Sequence, residues 1–459
     1  MSETTFAEDA SALAQRSPRV SRMLIELYGD WCLRHPAAFS PEDARTLPEP
    51  VVPPEVSVLV GDAREILHSH KEDDVRAQLP AILLSDDGLV WLWFLHEVSP
   101  YRGSRRAIYH YMPILEPLES VRRGGLNVYK RYSWTMHVLA AADVVWRCIP
   151  AGVLPPSAPD EARDDFGGIR DLYLALQSDA RKLLRLGCIL HDIGVRDGVE
   201  DHPRKGVPYV AGALTDFGGS QEFLIAAADI PTIIEAFVAE HTLLSKINGE
   251  LSPGMIRNAF DPWVEKCSTD RAREFVRREL PTVLALFVSA DLVAVDGKLL
   301  TARSVRRLRS APAWMSALHP EREVDGAVRI ANLLDEDDDA VRSALQERHR
   351  DSGELLEILA AADALDYAVG VLKPLRDVSI AVAILLTLAR FWRASAVAHD
   401  AMRLAFSPYC HIETLREWGR RLLDDPTSSG AAADDHGIQI RVDNSTPPTL
   451  NISTTIRQA

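Results

Sequence analysis

Six side chains in the middle of the sequence have the types and order of a metal centre. They are His137 in YSWTMHVLAAADVV, His191 and Asp192 in LHDIG, His202 in EDHP, His241 in FVAEHTLLS and Asp291 in FVSADLVAVDGK. Imidazole and carboxylate together suit Mn, Fe, Zn, Ni or Mg. The adjacent His191 and Asp192 can both ligate one ion or divide between two, and a carboxylate can bridge two ions in a hydrolytic centre. Asp291 is the most informative, because it interrupts the apolar stretch LALFVSADLVAV. An unpaired ionised carboxylate there costs several kcal/mol or shifts its pKa until it is neutral, and a cation removes that cost. Taken singly, His137 and His241 read as core or surface histidines, His202 as a turn residue and His191-Asp192 as a chance dipeptide. The ordered set carries the signal.

To converge, these residues have to be carried on helices. From about 134 to 300 the sequence reads as helix upon helix. In DLYLALQSDARKLLRLGCILHD, Leu172, Leu176, Ala180, Leu183, Leu184 and Cys188 share one face of a single predicted helix. Helical periodicity also covers 18–34, 58–96 and 320–424, with a proline-rich stretch at 41–56 and a flexible linker at 426–437. The run at 378–389 is too short to span a bilayer and reads as a buried helix. IQIRV and LNISTTI alternate with a period of two on either side of DNSTPP, which predicts a two-stranded unit. Such a hairpin is marginal alone, so it is expected to pack on the body or on a partner chain. The expected fold class is all-α, a helical bundle with flanking helical segments and a short C-terminal β-hairpin.

Composition narrows the function. The 459 residues carry a net charge of −15 and are 47% hydrophobic. The negative balance argues against a broad nucleic-acid surface, though not against a local basic pocket. The cysteines Cys32, Cys148, Cys188, Cys267 and Cys410 form no C-x-x-C pair, which fits a reduced, cytoplasmic compartment. The acidic start MSETTFAEDASALAQ lacks the apolar run of a signal peptide, and no membrane association is expected. Arg102, Arg105 and Arg106 in YRGSRRAIY read as a solvated helix face or as an approach for a phosphorylated substrate. Trp91, Trp93 and Phe94 read as core.

The ordered set resembles the HD superfamily of metal-dependent phosphohydrolases. Within it, the chain most resembles the HD domain of bacterial PII uridylyltransferase/uridylyl-removing enzymes. The likeness rests on YHYMPILEPLES (109–120), RYSWTMHVL (131–139), HDIGVRDGVEDHPRKG (191–206) and EHTLLSKINGELSPGMIRNAF with SADLVAVDGKL, and it covers about 85–305. Hydropathy sets an N-terminal helical segment with the proline-rich linker at 1–84, a C-terminal helical domain at 306–425 and a linker with the strand pair at 426–459, and the likeness implies an HD domain at 85–305 between them. The likeness also implies a bundle-centred metal site, with His137, His191, Asp192 and Asp291 as the core set and His202 and His241 for a second ion.

The expected function is metal-dependent phosphohydrolysis or phosphodiester hydrolysis of a nucleotide or nucleotidyl ester by metal-activated water. Asp192 is the expected catalytic carboxylate. The family's lysine after H-D-I-G is Val195 here, so Arg196 or Lys205, together with Lys298, are the expected phosphate clamps. The family's H-H pair is Glu240-His241. The relatives' nucleotidyltransferase motif is absent from residues 1–85, and too little strand follows Pro426 for their ligand-sensing domains. Nucleotidyl transfer is therefore not expected, and a PII-like substrate is doubtful. Two other readings stay open: an HD-type di-iron oxygenase, and a catalytically weak sensor or scaffold. A homo-oligomer through the C-terminal region is a further expectation.

Overall fold

Thr5 and Glu8 close a reciprocal capping box at the start of helix α1 (Phe6–Arg16), satisfying N–H groups that a helix start otherwise leaves unpaired. The computed structural model describes residues 4–35, 49–122, 128–155, 158–217, 223–246, 253–301, 304–305, 308–309, 372, 375–394, 403–406, 411–424, 438–443 and 449–454. The fold is all-α with a short C-terminal β-hairpin, as the hydropathy pattern predicts. The chain divides into two compact units, Met1–Ser245 with Phe260–Pro312, and Lys246–Ala259 with Ala313–Ala459.

In the first unit, α1, α2 (Val20–Arg34), α3 (Pro54–Ser69) and α4 (Glu72–Leu84) gather round α5 (Gly88–Glu97). Trp91, Trp93 and Phe94 of α5 are fully buried, which makes them core as read. The Trp91 indole donates to the Ala10 carbonyl (3.0 Å), and Trp93 stacks on Tyr28 of α2 at 5.9 Å. The arginines that follow are not on a helix face. Residues Tyr101 and Ser104 pair across a tight turn, Arg102 binds Glu72, and Arg105 binds Glu49 at 3.4 Å. Arg106 is buried, lies 3.6 Å from Glu119 and donates to the Tyr132 hydroxyl. A buried guanidinium needs such partners to offset desolvation, so Arg106 matches neither reading of its motif.

Four helices form the centre of this unit: α6 (Trp134–Asp143), α7 (Ser178–Leu190), α8 (Ile230–Glu240) and α9 (Asp270–Val295). Ser133 caps α6 through the Met136 N–H, and Thr269 caps α9 through the Ala272 N–H. The Asp229 carboxylate, at the start of α8, accepts the backbone N–H and hydroxyl groups of Ser268 and Thr269, which pins α8 to the start of α9. Gly187 lets α7 close on α8, since a Cβ there would stand 2.6 Å from the Phe237 ring. Phe237 in turn packs edge-on against Phe287 of α9 at 5.1 Å. The single helix predicted through DLYLALQSDARKLLRLGCILHD is instead two, Gly167–Ala175 and α7. Leu176 is extended (ψ 139°), and Ser178 and Asp179 begin the new helix, with acidic charge in its first turn where the helix dipole favours it.

In the second unit, the run at 378–389 lies in helix α10 (Val378–Ala394), buried along Ile380–Leu386 as expected. It packs on α11 (Ile412–Asp424). The rest of the helical pattern read over 320–424, and the linker at 426–437, lie outside the described residues. Strands β2 (Ile438–Asp443) and β3 (Thr449–Thr454) form the antiparallel hairpin, with Ile440 opposite Ile452. A third strand, β1 (Arg403–Phe406), pairs in parallel with β3 to give the order β1-β3-β2. Its four residues sit inside a stretch read as helical, and so short a run carries too little periodicity to mark a strand. Among the described residues, no helix is long and apolar enough to cross a membrane.

Candidate metal centre

Each ligand candidate sits at a helix end or on a core helix face. His137 lies on α6, His191 and Asp192 close α7, His202 opens the short helix His202–Gly206, His241 closes α8, and Asp291 lies on α9. Gly194 makes the arrangement possible, because a Cβ there would stand 2.0 Å from the His202 carbonyl oxygen and 2.4 Å from the Gly206 nitrogen. Only a residue without a side chain lets the His202 helix lie against the turn after Asp192.

The structure brings all six together. The ligand atoms of His137, His191 and Asp291 lie within 4.8 Å of one another, as do those of Asp192, His202 and His241. Asp192 joins the two groups. Its Oδ1 is 2.9 Å from His202 Nε2 and 3.7 Å from His241 Nε2. Its Oδ2 is 3.0 Å from His191 Nε2 and 3.5 Å from His137 Nε2. Asp291 Oδ1 stands 3.0 Å from His137 Nε2.

Three imidazoles are oriented alike. Nδ1 of His191 bonds the Cys188 carbonyl (2.8 Å), that of His202 the Val199 carbonyl (2.8 Å) and that of His241 the Val238 carbonyl (2.7 Å). A carbonyl accepts only from a protonated Nδ1, so each neutral ring turns the lone pair of Nε2 into the cluster. The buried Nε2 of His191 faces the Asp192 carboxylate rather than a donor, and the Nε2 atoms of His202 and His241 face each other at 3.2 Å. Buried acceptors left unpaired and pointing at one another are what a cation would satisfy. The donor set therefore fits a metal: buried His/Asp groups able to hold one.

The charges agree with this. Burial, and then the Lys130 charge, hold His137 down to about 4. Burial, and then the His191 charge, hold His241 down to about 3. Burial opposes charge on His191, but the Asp192 carboxylate outweighs it and raises the imidazole. Burial would also raise Asp192, but His191 and Lys130 hold it well below the usual carboxylate range. Asp291 is likewise lowered, its burial outweighed by His137.

Two neighbours were not legible as site residues. Trp134 donates its indole N–H to Asp192 Oδ2. Lys130 Nζ lies 3.3 Å from the same oxygen and 3.9 Å from the centre of the Trp134 ring. Lys130 stands one residue before the RYSWTMHVL segment, on the 3₁₀ turn Tyr129–Arg131, which falls outside the helical period that places His137. Two of the expected phosphate clamps have partners of their own. Arg196 is exposed and stacks on Tyr209 at 4.4 Å, Lys205 donates to the Asp197 carbonyl at 3.2 Å, and the Lys298 side chain is exposed. Glu240 accepts from the Trp263 indole at 3.3 Å and does not belong to either ligand group.

No family model matches the chain, and no curated protein matches it.

Proposed function

We propose that the chain is a metal-dependent phosphohydrolase or phosphodiesterase of the HD superfamily, acting on a nucleotide or nucleotidyl ester. The carrying observation is the placement of Asp192, whose two oxygens face two separate ligand groups. One carboxylate shared between two groups of imidazoles is an arrangement that can bridge the ions of a two-metal hydrolytic centre. His137, His191 and Asp291 would hold one ion, and His202 and His241 the other, with Asp192 common to both. Bound divalent metal supplies a water ionised near neutral pH and positive charge for the phosphoryl oxygens.

The chain's own residues do the rest. The carbonyls of Cys188, Val199 and Val238 fix the tautomer and ring plane of three ligands, an outer support of the kind that metal sites depend on. Trp134 holds Oδ2 of Asp192 in place. The near-complete burial of His137, His191, Asp192 and His241 excludes bulk water, which strengthens every charge interaction at the centre.

The test is direct. Protein loaded with Mn, Fe, Zn, Ni or Mg, with metal content verified, is assayed on a phosphodiester and nucleotide panel beside Asp192→Ala. Turnover in the parent and its loss in the variant are expected. A loaded protein that turns over nothing on the panel overturns the proposal, and tightly bound iron with an oxygen-dependent signal would move the assignment to an oxygenase.

A further inference from the structure

We infer that Lys130 binds a phosphoryl oxygen of the substrate at the metal centre and so makes the site selective for a phosphate group. This rests on the hydrolase reading and supplies the phosphate-binding cation that Val195 leaves missing.

Three observations carry it. The first is charge. With the imidazoles neutral, the two carboxylates and the one ammonium leave the cluster with one negative charge. One divalent ion turns that into one positive charge, and two ions into three. Uncompensated charge in so buried a place is costly, and Lys130 adds to the excess, so the loaded centre calls for an anionic ligand.

The second is access. The side chains of His137, Asp192, His191 and His241 are at most 2% exposed, whereas those of Lys130, His202 and Asp291 are 10%, 17% and 19% exposed. The cluster meets solvent at these three residues, and Lys130 is the cation among them.

The third is construction. The 3₁₀ turn that carries Lys130 is held from two sides. The Val128 N–H donates to the Val295 carbonyl at the end of α9 (3.2 Å), and Arg131 Nη1 donates to the Cys32 carbonyl at the end of α2 (3.2 Å). The ammonium rests over the Trp134 ring at 3.9 Å, a geometry that holds a cation by its attraction to the ring face. A lysine fixed at both turn and head is preorganised to receive an anion. Trp134 already gives Asp192 Oδ2 a donor, so Asp192 has outer support that does not depend on the lysine.

The experiment titrates inorganic phosphate into the full-length, Mn-loaded protein by calorimetry, with metal content measured alongside, for the parent, Lys130→Gln and Lys130→Arg. The expected result is unchanged metal content in K130Q, phosphate affinity weakened by roughly tenfold to a hundredfold, as for loss of a charged hydrogen bond, and partial recovery in K130R. Should K130Q fail to fold, Lys130→Met keeps the stem over the Trp134 ring and replaces it. Full phosphate affinity in a metal-loaded K130Q overturns the inference and leaves the hydrolase reading standing. Metal lost in K130Q while phosphate binding per metal is kept also overturns it, because Lys130 would then act by positioning Asp192. A parent protein that takes up no metal overturns the hydrolase reading itself.

Discussion

Removing the Trp134 indole N–H isolates the outer support of the centre from its ligands. Trp134→Phe keeps most of the ring volume and deletes the donor to Asp192 Oδ2. Loss of such a partner lowers metal affinity by about 10–100-fold, so competition against a metal indicator should show weaker uptake at unchanged stoichiometry. His202→Ala removes one ligand from the second group and none from the first, and metal analysis should find one ion lost rather than both. The six candidate ligands, which the fold brings together, were legible because imidazoles and acids at the ends of apolar helices are costly without a cation, and their order survives any loop length. Lys130 and Trp134 were not, because a lysine before an aromatic residue is an ordinary sequence. Their meaning comes only from a turn that folds back on Asp192. Arg106 misled in the opposite sense, since a run of arginines reads as solvated until a buried Glu119 is found beside it.

Elements place these residues with little tolerance at one glycine. Gly194→Ala sets a methyl group 2.0 Å from the His202 carbonyl, a backbone atom that cannot swing aside. The His202 helix must then shift, at a cost of about 1–3 kcal/mol typical of overpacking. The expected outcome is a lower unfolding midpoint together with loss of the second ion, while the ion held by His137, His191 and Asp291 stays; retention of both ions would show that the turn yields more than its packing implies. Helix positions were readable where apolar residues recur every three or four positions, as in α7, or where an apolar run is continuous, as in α10. The break at Leu176 was not, because leucines continue across it and only the extended backbone of Leu176 and Gln177 separates the two helices. The hairpin declared itself by strict alternation, whereas β1 is four residues long and owes its pairing to β3.

At the scale of the whole molecule, the buried cluster ties stability to pH and to metal. In chelator-stripped protein, His137 and His241 titrate near 4 and 3 when folded but near 6.5 when unfolded. Between those values the unfolded chain takes up protons that the folded chain refuses, so stability falls as pH drops from about 6.5 toward 4. His191, raised by Asp192, works in the other direction, but it stands against two. Asp192 and Asp291, both lowered, withdraw their contribution as pH falls below the usual carboxylate range. Denaturant melts of the stripped protein should weaken steadily from neutral to acid pH, and a flat profile would contradict the assigned burial. Metal should add about 2.7 kcal/mol when free ion exceeds its dissociation constant a hundredfold, seen as a higher melting temperature that chelator reverses. Finally, the Cys32 carbonyl lies 99 positions upstream of the arginine it receives, and a methyl group at Gly29 would touch the Tyr129 hydroxyl. The turn that carries Lys130 thus rests on α2 (Val20–Arg34), so the block that holds the candidate ligands is no portable cassette: a fragment excised at residue 85 would keep all six and lose the support behind Lys130.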